Sequence, residues 1–437
     1  MQQVQRRSGR HAEKPVFAMT PVSIEWVAAV LFAVALIHTF AAKFFERLSH
    51  RYPEHAGLFH LLGEVEVVFG FWAIVLIACM AWLQDGAQAL AYAESRQYAE
   101  PLFVFVVMVV AASKPILSFV MSAVDAVSRL MPMRTSLAKA WLCLSVVPLL
   151  GSAITEPAAM TIAALMLAPQ VFRTEVPERV KYLALGVLFV NISIGGTLTS
   201  YAAPPVLMVA HVWGWDSAFM FTQFGWKAAL AVLVNATVAV YFLRDHLGVN
   251  AATDNSALAE PIPQSVVLVH LCFLAAVVAL AHYPVAFIGL FVMFMGFAQA
   301  YERYQNPLIL KEALLVGFFL AGLVVLGGMQ QWWLQPIVST MDPQLLFYGT
   351  TVLTAFTDNA ALTYLGSLIL DISDEAKYSL VAGAVAGGGL TVIANAPNPA
   401  GVALLRGGFA DASVGAGGLL LGALFPTAVA MVALVWL

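Results

Sequence analysis

TEPAAMT (155–161) and TDNAALT (357–363) follow one template: Thr, acid, X, Ala, Ala, X, Thr. Each interrupts an apolar run, so each sets a carboxylate, Glu156 and Asp358, at membrane depth. A second pair of motifs follows. GTLTSYAAPP (196–205) answers GGLTVIANAP (388–397), each with glycine on one side and proline on the other. Thr155 lies 44 residues before Thr199, and Thr357 lies 34 before Thr391. Two motifs recurring in one order make an internal repeat. In membrane chains, repeats with helix breaks in corresponding places point to a transporter's binding site.

Composition agrees with a membrane setting. Of 437 residues 61% are hydrophobic and only 11% charged, against about 25% charged in soluble domains. The net charge of -4 says little about partners. Cys79, Cys143 and Cys272 all sit in apolar runs, so no disulfide framework is expected. Residues 1–21 are polar and basic, without the apolar core of a signal peptide. The glycine-rich stretches lack the following Lys-Ser/Thr of a nucleotide loop. No cofactor and no nucleic-acid partner is expected.

The expected fold class is an all-α polytopic membrane protein. It would have about ten transmembrane helices, two re-entrant helical hairpins and two broken helices. Residues 1–21 form a polar tail, 22–243 a first repeat, 244–263 a polar linker and 264–437 a second repeat. Spans are expected at about 22–42, 64–83 and 101–121, with Lys114-Pro115 inside the third and a mixed connection at 43–63. The first hairpin covers 138–172, breaking between Gly151-Ser152 and Pro157. A broken helix follows at 182–212, then a span at 224–243. The second repeat has spans at 264–282, 285–300 and 312–334, a hairpin at 344–370, a broken helix at 378–405 and a last span at 414–436. Proline removes a helical donor and disfavours helix just before it. Non-helical backbone at membrane depth is tolerated only where protein buries it or water lines it. Five crossings per half is odd, so the halves must be inverted.

Loop charge supports one orientation. With the first span crossing from outside to inside, the inner loops carry 13 Lys/Arg and the outer loops two, Arg96 and Lys377. Positive residues favour the cytoplasm. The basic tail, with four more, is the exception.

A charged carboxylate in hydrocarbon costs about 3 kcal/mol or more, so it faces a cavity or a partner. Leaving water also disfavours its charged form, so such a group can hold a proton at one moment and a hard cation at another. Thr155, Thr161, Thr199, Ser200, Thr357, Asn359, Thr363 and Asn395 supply further oxygens near the breaks. The bland reading is that Glu156 and Asp358 only cap half-helices. Lys114 could pair with one of the two acids, or snorkel to the inner surface. Glu64 and Glu66 read as a solvated helix start. Asn191, Asn395 and Asn398 could be ligands or could satisfy freed backbone.

The twice-repeated acidic hairpin, followed by a glycine-rich broken helix ending in Pro-Pro or Asn-Pro, resembles the ion transporter superfamily. That group includes NhaD-type sodium/proton antiporters, arsenite permeases and sodium-coupled dicarboxylate carriers. GGTLTSYAAPPVLMV (195–209) is similar to the Gly-Gly-Thr-x-Thr…Pro-Pro pattern of the antiporter and arsenite branches. Nearly the whole chain after residue 22 also resembles a bacterial group of sodium/proton antiporters.

The resemblance implies a multi-pass protein of the bacterial inner membrane. It implies a mobile transport domain of hairpins and broken helices, moving by an elevator motion against a scaffold that usually dimerises. It places hairpin-tip positions on Thr155, Glu156, Thr357, Asp358 and Asn359. Broken-helix positions fall on Thr197, Thr199, Ser200, Thr391, Asn395 and Asn398. The dicarboxylate branch carries Ser-Asn-Thr at its tips, whereas here acids stand there, which argues for a cation. Na⁺ held at Glu156 and Asp358 in exchange for H⁺ is therefore the leading expectation. An anion or organic-acid carrier using Lys114 is the alternative, and a membrane hydrolase using the two acids the remote one. Pro157 stands where the second hairpin has Asn359, so the two half-sites should differ.

Overall fold

The computed structural model describes residues 23–247 and 261–437. The expected tail (1–21) and most of the expected linker (244–263) lie outside the described residues. The described chain is helical throughout, with no strand among those residues. Five helices have both the length and the hydropathy to cross a bilayer: Glu66–Leu83, Glu178–Leu198, Ser217–Leu243, Leu310–Gly327 and Ala416–Trp436. Three more apolar helices, Ile24–Thr39, Gln264–Ala279 and Pro284–Ala300, are 16 or 17 residues long. These lie at the short end of the roughly 17–25 residues that span hydrocarbon. The chain is an all-α polytopic membrane protein. The connection at 43–63 is itself largely helical, as Ala42–Arg51 and Ala56–Gly63.

The third span is not one helix. It ends at Ala111 and resumes at Lys114 with a 62° bend. Ser113 is extended (φ -65°, ψ 143°), the backbone of a helix N-cap, and Pro115 falls in the first turn, where its missing N–H costs nothing. The new helix, Lys114–Leu130, buries Ile116, Val120, Val124 and Ser128, a single i, i+4 stripe. Its other faces carry Asp125 and Arg129. Lys114 therefore opens an amphipathic helix on the far side of the bend.

The first hairpin turns inside the expected stretch, and its first limb bends once more ahead of it. Helix runs through Gly151-Ser152, as Val146–Ile154. A 42° bend separates it from Thr135–Leu144, and the turn comes at Thr155. Pro148 explains the bend: it has no N–H for the Leu144 carbonyl. Asn191 Nδ2 donates to that carbonyl instead, at 2.7 Å, and to Val232 O at 3.2 Å. The second limb, Glu156–Leu167, packs back on the first. The second hairpin is Pro343–Thr354 and Asn359–Ser367. The broken helices are Glu178–Gly195 with Pro204–Trp213, and Asp374–Gly387 with Asn398–Leu405.

Helices pack reciprocally across the two halves. Ile24–Thr39 and Val65–Leu83 both lie on Leu310–Gly327, and Gln264–Ala279 and Pro284–Ala300 both lie on Ala99–Ala111. Around the breaks the same exchange recurs. Glu156–Leu167 packs on Asn398–Leu405, and Asn359–Ser367 packs on Pro204–Trp213. Each hairpin's second limb thus lies against the broken helix of the other half.

Small residues let the backbones approach. Val65–Leu83 meets Leu310–Gly327 where a Cβ on Gly322 would lie 2.3 Å from Gly70 N. Glu178–Gly195 meets Ala416–Trp436 where a Cβ on Gly186 would lie 2.4 Å from the Gly422 backbone. Association in lipid relies on such close packing. Gly322→Ala should destabilise the protein by about 1–3 kcal/mol, read as a lower unfolding temperature in detergent. Gly289→Ala, with nothing within 4 Å of its added carbon, should be silent.

Candidate functional site

The two acids occupy matched positions but use their oxygens differently. Asp358 caps Asn359–Ser367: Oδ1 accepts from Ala360 N at 2.8 Å and from Ala361 N at 3.3 Å. Capping is thus part of its work, while Oδ2 takes no share in the cap. Glu156 caps nothing. It is fully buried, and its Oε2 accepts from Asn395 Nδ2 at 2.8 Å. Oε1 has no hydrogen-bond partner. The residue equivalent to Asn395 in the first motif is Ala203, which cannot donate. That difference leaves Asp358 without a matching partner, so the two half-sites are not equivalent.

Glycine makes room for the Glu156 carboxylate. A Cβ on Gly196 would lie 2.5 Å from Glu156 Oε1. In the other half a Cβ on Gly388 would lie 3.0 Å from Asn359 Nδ2. Each glycine-rich break therefore receives the tip of its own hairpin. Equivalent threonines clip the same junctions. Thr199 Oγ1 donates to Ser152 O at 2.7 Å, and Thr391 Oγ1 donates to Ala355 O at 3.0 Å.

Thr155 turns the first hairpin at φ 77° and ψ 152°. That region suits glycine and costs a β-branched residue about 1–3 kcal/mol. Its Oγ1 is buried without a hydrogen-bond partner. Other buried oxygens among the described residues are in the same condition, Asn235 Oδ1 and Thr427 Oγ1 among them, and four of these join Thr155 at the hairpin tips and the second break: Glu156 Oε1, Asn359 Oδ1, Asn395 Oδ1 and Asn398 Oδ1. These five are all acceptors. A buried acceptor left unpaired costs about 1–3 kcal/mol.

Asp358 and Asn395 line one cavity of about 30 Å³, closed by Val316, Phe319, Val392 and Ile393. It has room for about one water or one small ion. Asn395 therefore stands between the two acids, bonded to Glu156 on one side and facing the Asp358 cavity on the other. A third acid, Glu66, lines the same cavity. The sequence offered no signal for it: Glu64 and Glu66 share one helix start, and Glu64 pairs with the exposed Lys311 at 3.2 Å while Glu66 lines the cavity.

Other expected residues go elsewhere. Ser200 Oγ lies 3.2 Å from Ser217 Oγ on the wall of a separate cavity of about 680 Å³. Thr197 Oγ1 donates to Ile194 O at 2.6 Å. Asn398 Nδ2 donates to Gly388 O and Thr391 O, satisfying carbonyls of the break. Asn359 Nδ2 reaches Ser193 Oγ at 3.4 Å. Thr357 is half-buried beside Asp358. Lys114 does not join the acids; it lines another cavity with Ser118, Phe119 and Gln264. Among the described residues no three His, Cys, Asp or Glu side chains converge as a metal centre.

Residues 23–437 match the family described as "Putative Na+/H+ antiporter". The chain belongs to that family. No curated protein matches it. Membership of an antiporter family makes the chain a membrane transporter. It fits a site made of buried acceptors with no basic side chain lining the acid cavity.

The strained tip gives a test. Thr155→Gly should relieve the backbone and leave the fold as stable or about 1 kcal/mol more stable, read by thermal unfolding. If it unfolds earlier, as a truncated core residue would, the tip is not strained.

Proposed function

We propose that the chain exchanges Na⁺ for H⁺ across the bacterial inner membrane, with Glu156 and Asp358 as the acceptors both ions share. The observation that carries this reading is the hydrogen bond from Asn395 to Glu156. It joins the first hairpin to the second break, beside the cavity that Asp358 lines. Thr155, Asn359 and Asn395 add unpartnered oxygens at the same junctions, and hard cations take oxygen ligands.

The reciprocal packing supports two inverted copies of one unit. The hairpins, as re-entrant elements, and the broken helices would then form a domain that moves past a scaffold made of the remaining spans, in a dimer with lipid around it. That arrangement would be NhaD-like and would place the chain in the ion transporter superfamily. Exchange follows from charge. A site carrying a proton or a cation is neutral enough to cross the apolar scaffold, and an empty charged site is held back by desolvation.

Purified protein in liposomes should drive proton movement when Na⁺ is added, and the same assay with Li⁺ and K⁺ ranks the ions. Glu156→Gln and Asp358→Asn should each lower the exchange rate at least about tenfold, the loss of one charged-state interaction of about 1.4 kcal/mol or more. Full exchange in both variants would overturn the assignment.

A further inference from the structure

The cavity beside Asp358 is assembled from two groups of helices. Asp358 and Asn395 come from the second hairpin and the second break. Glu66 comes from Val65–Leu83, which packs on Ile24–Thr39 and Leu310–Gly327 and belongs to the scaffold of the preceding reading. Two carboxylates therefore face one space of about 30 Å³ whose remaining wall includes Val316, Phe319 and Ile393, and no basic side chain lines it. Two like charges in so small an apolar space repel unless something positive lies between them. The Asn395 Oδ1, on a residue 1% exposed, also lacks a hydrogen-bond partner. The space thus presents carboxylate and amide oxygens and holds about one ion.

We propose that Glu66 is a cation ligand contributed by the scaffold, completing the site with Asp358 and Asn395 in this state alone. The proposal rests on the exchange reading above. Glu66 lies two residues from Glu64, whose Oε1 is 3.2 Å from Lys311, a side chain 69% exposed. The cavity therefore sits about one helical turn from water at the end of the scaffold that bears Lys311. Loop charge makes that end cytoplasmic. When hairpin and break move away from this end, Glu66 stays behind and the site loses one ligand. Cation affinity then differs between the two faces, which a fully self-contained moving site would not produce.

The experiment measures the Na⁺ concentration for half-maximal exchange on each face, in right-side-out and inside-out vesicles. Glu66→Gln should raise it roughly tenfold or more on the face bearing Lys311, and leave the other face within twofold. Glu64→Gln removes a charge from the same helix start and should change neither face. Unchanged values in Glu66→Gln, or an equal rise on both faces, would overturn the proposal while leaving exchange itself standing. If the wild type exchanges no cation, the exchange reading fails, and Na⁺-dependent thermal stabilisation of the purified protein then decides on Glu66. Stabilisation lost in Glu66→Gln and kept in Glu64→Gln supports the ligand, and equal stabilisation in all three overturns it. Should Glu66→Gln fail to fold, Glu66→Asp keeps the charge, and a shortened carboxylate should give a smaller rise on the same face; no rise overturns the proposal.

Discussion

Burying a carboxylate among apolar helices is the constraint on which this structure turns. Glu156 is wholly out of water and has one donor, the amide of Asn395. A single hydrogen bond to a charged group is worth about 1.5–3 kcal/mol net, less than the desolvation of a full charge. The position is therefore stable only with a proton or a cation at hand. Everything around it serves that condition. Gly196 opens space for the carboxylate, Thr155 accepts a left-handed backbone to aim the turn, and the breaks bring acceptors close. A core chosen for stability alone would have put an apolar residue there.

The same constraint explains why the two halves differ while sharing a template. Asn395 stands where the first motif has Ala203, so only Glu156 receives a side-chain donor. Asp358 instead spends one oxygen on its own helix, leaving the other for the cavity. One acid is thus locked between two segments and the other sits at the edge of a small space. The two acids therefore sit in unlike settings although their motifs share one template.

Close backbone contact does the rest. The crossing of Gly70 with Gly322 and of Gly186 with Gly422 brings helix axes together without side chains between them. Polar side chains repair the breaks this chain needs: Asn191 takes the carbonyl that Pro148 leaves, and Asn398 takes two from the second break. Asn191 and Asn398 turn out to serve backbone, whereas Asn395 serves the acid.

Local pattern determined much of this protein. Apolar runs, prolines and the doubled Thr-acid template are short-range signals, and the helices stop and restart where they point, at Thr155, at Asp358 and in the two glycine-rich stretches. The same signals also singled out Glu156, Asp358 and Asn395. The bend before Val146 and the bend before Lys114 depended on where proline withdraws a hydrogen bond, which a run of apolar letters records only roughly. Tertiary structure alone decided which groups meet. Asn395 and Glu156 are 239 residues apart, and nothing in either neighbourhood names the other. Glu64 and Glu66 are equivalent as local text, yet helix phase turns one toward Lys311 and the other toward Asp358. Contacts across the fold follow from how whole faces pack, and that information resides in the joint arrangement of many helices, not in any one stretch.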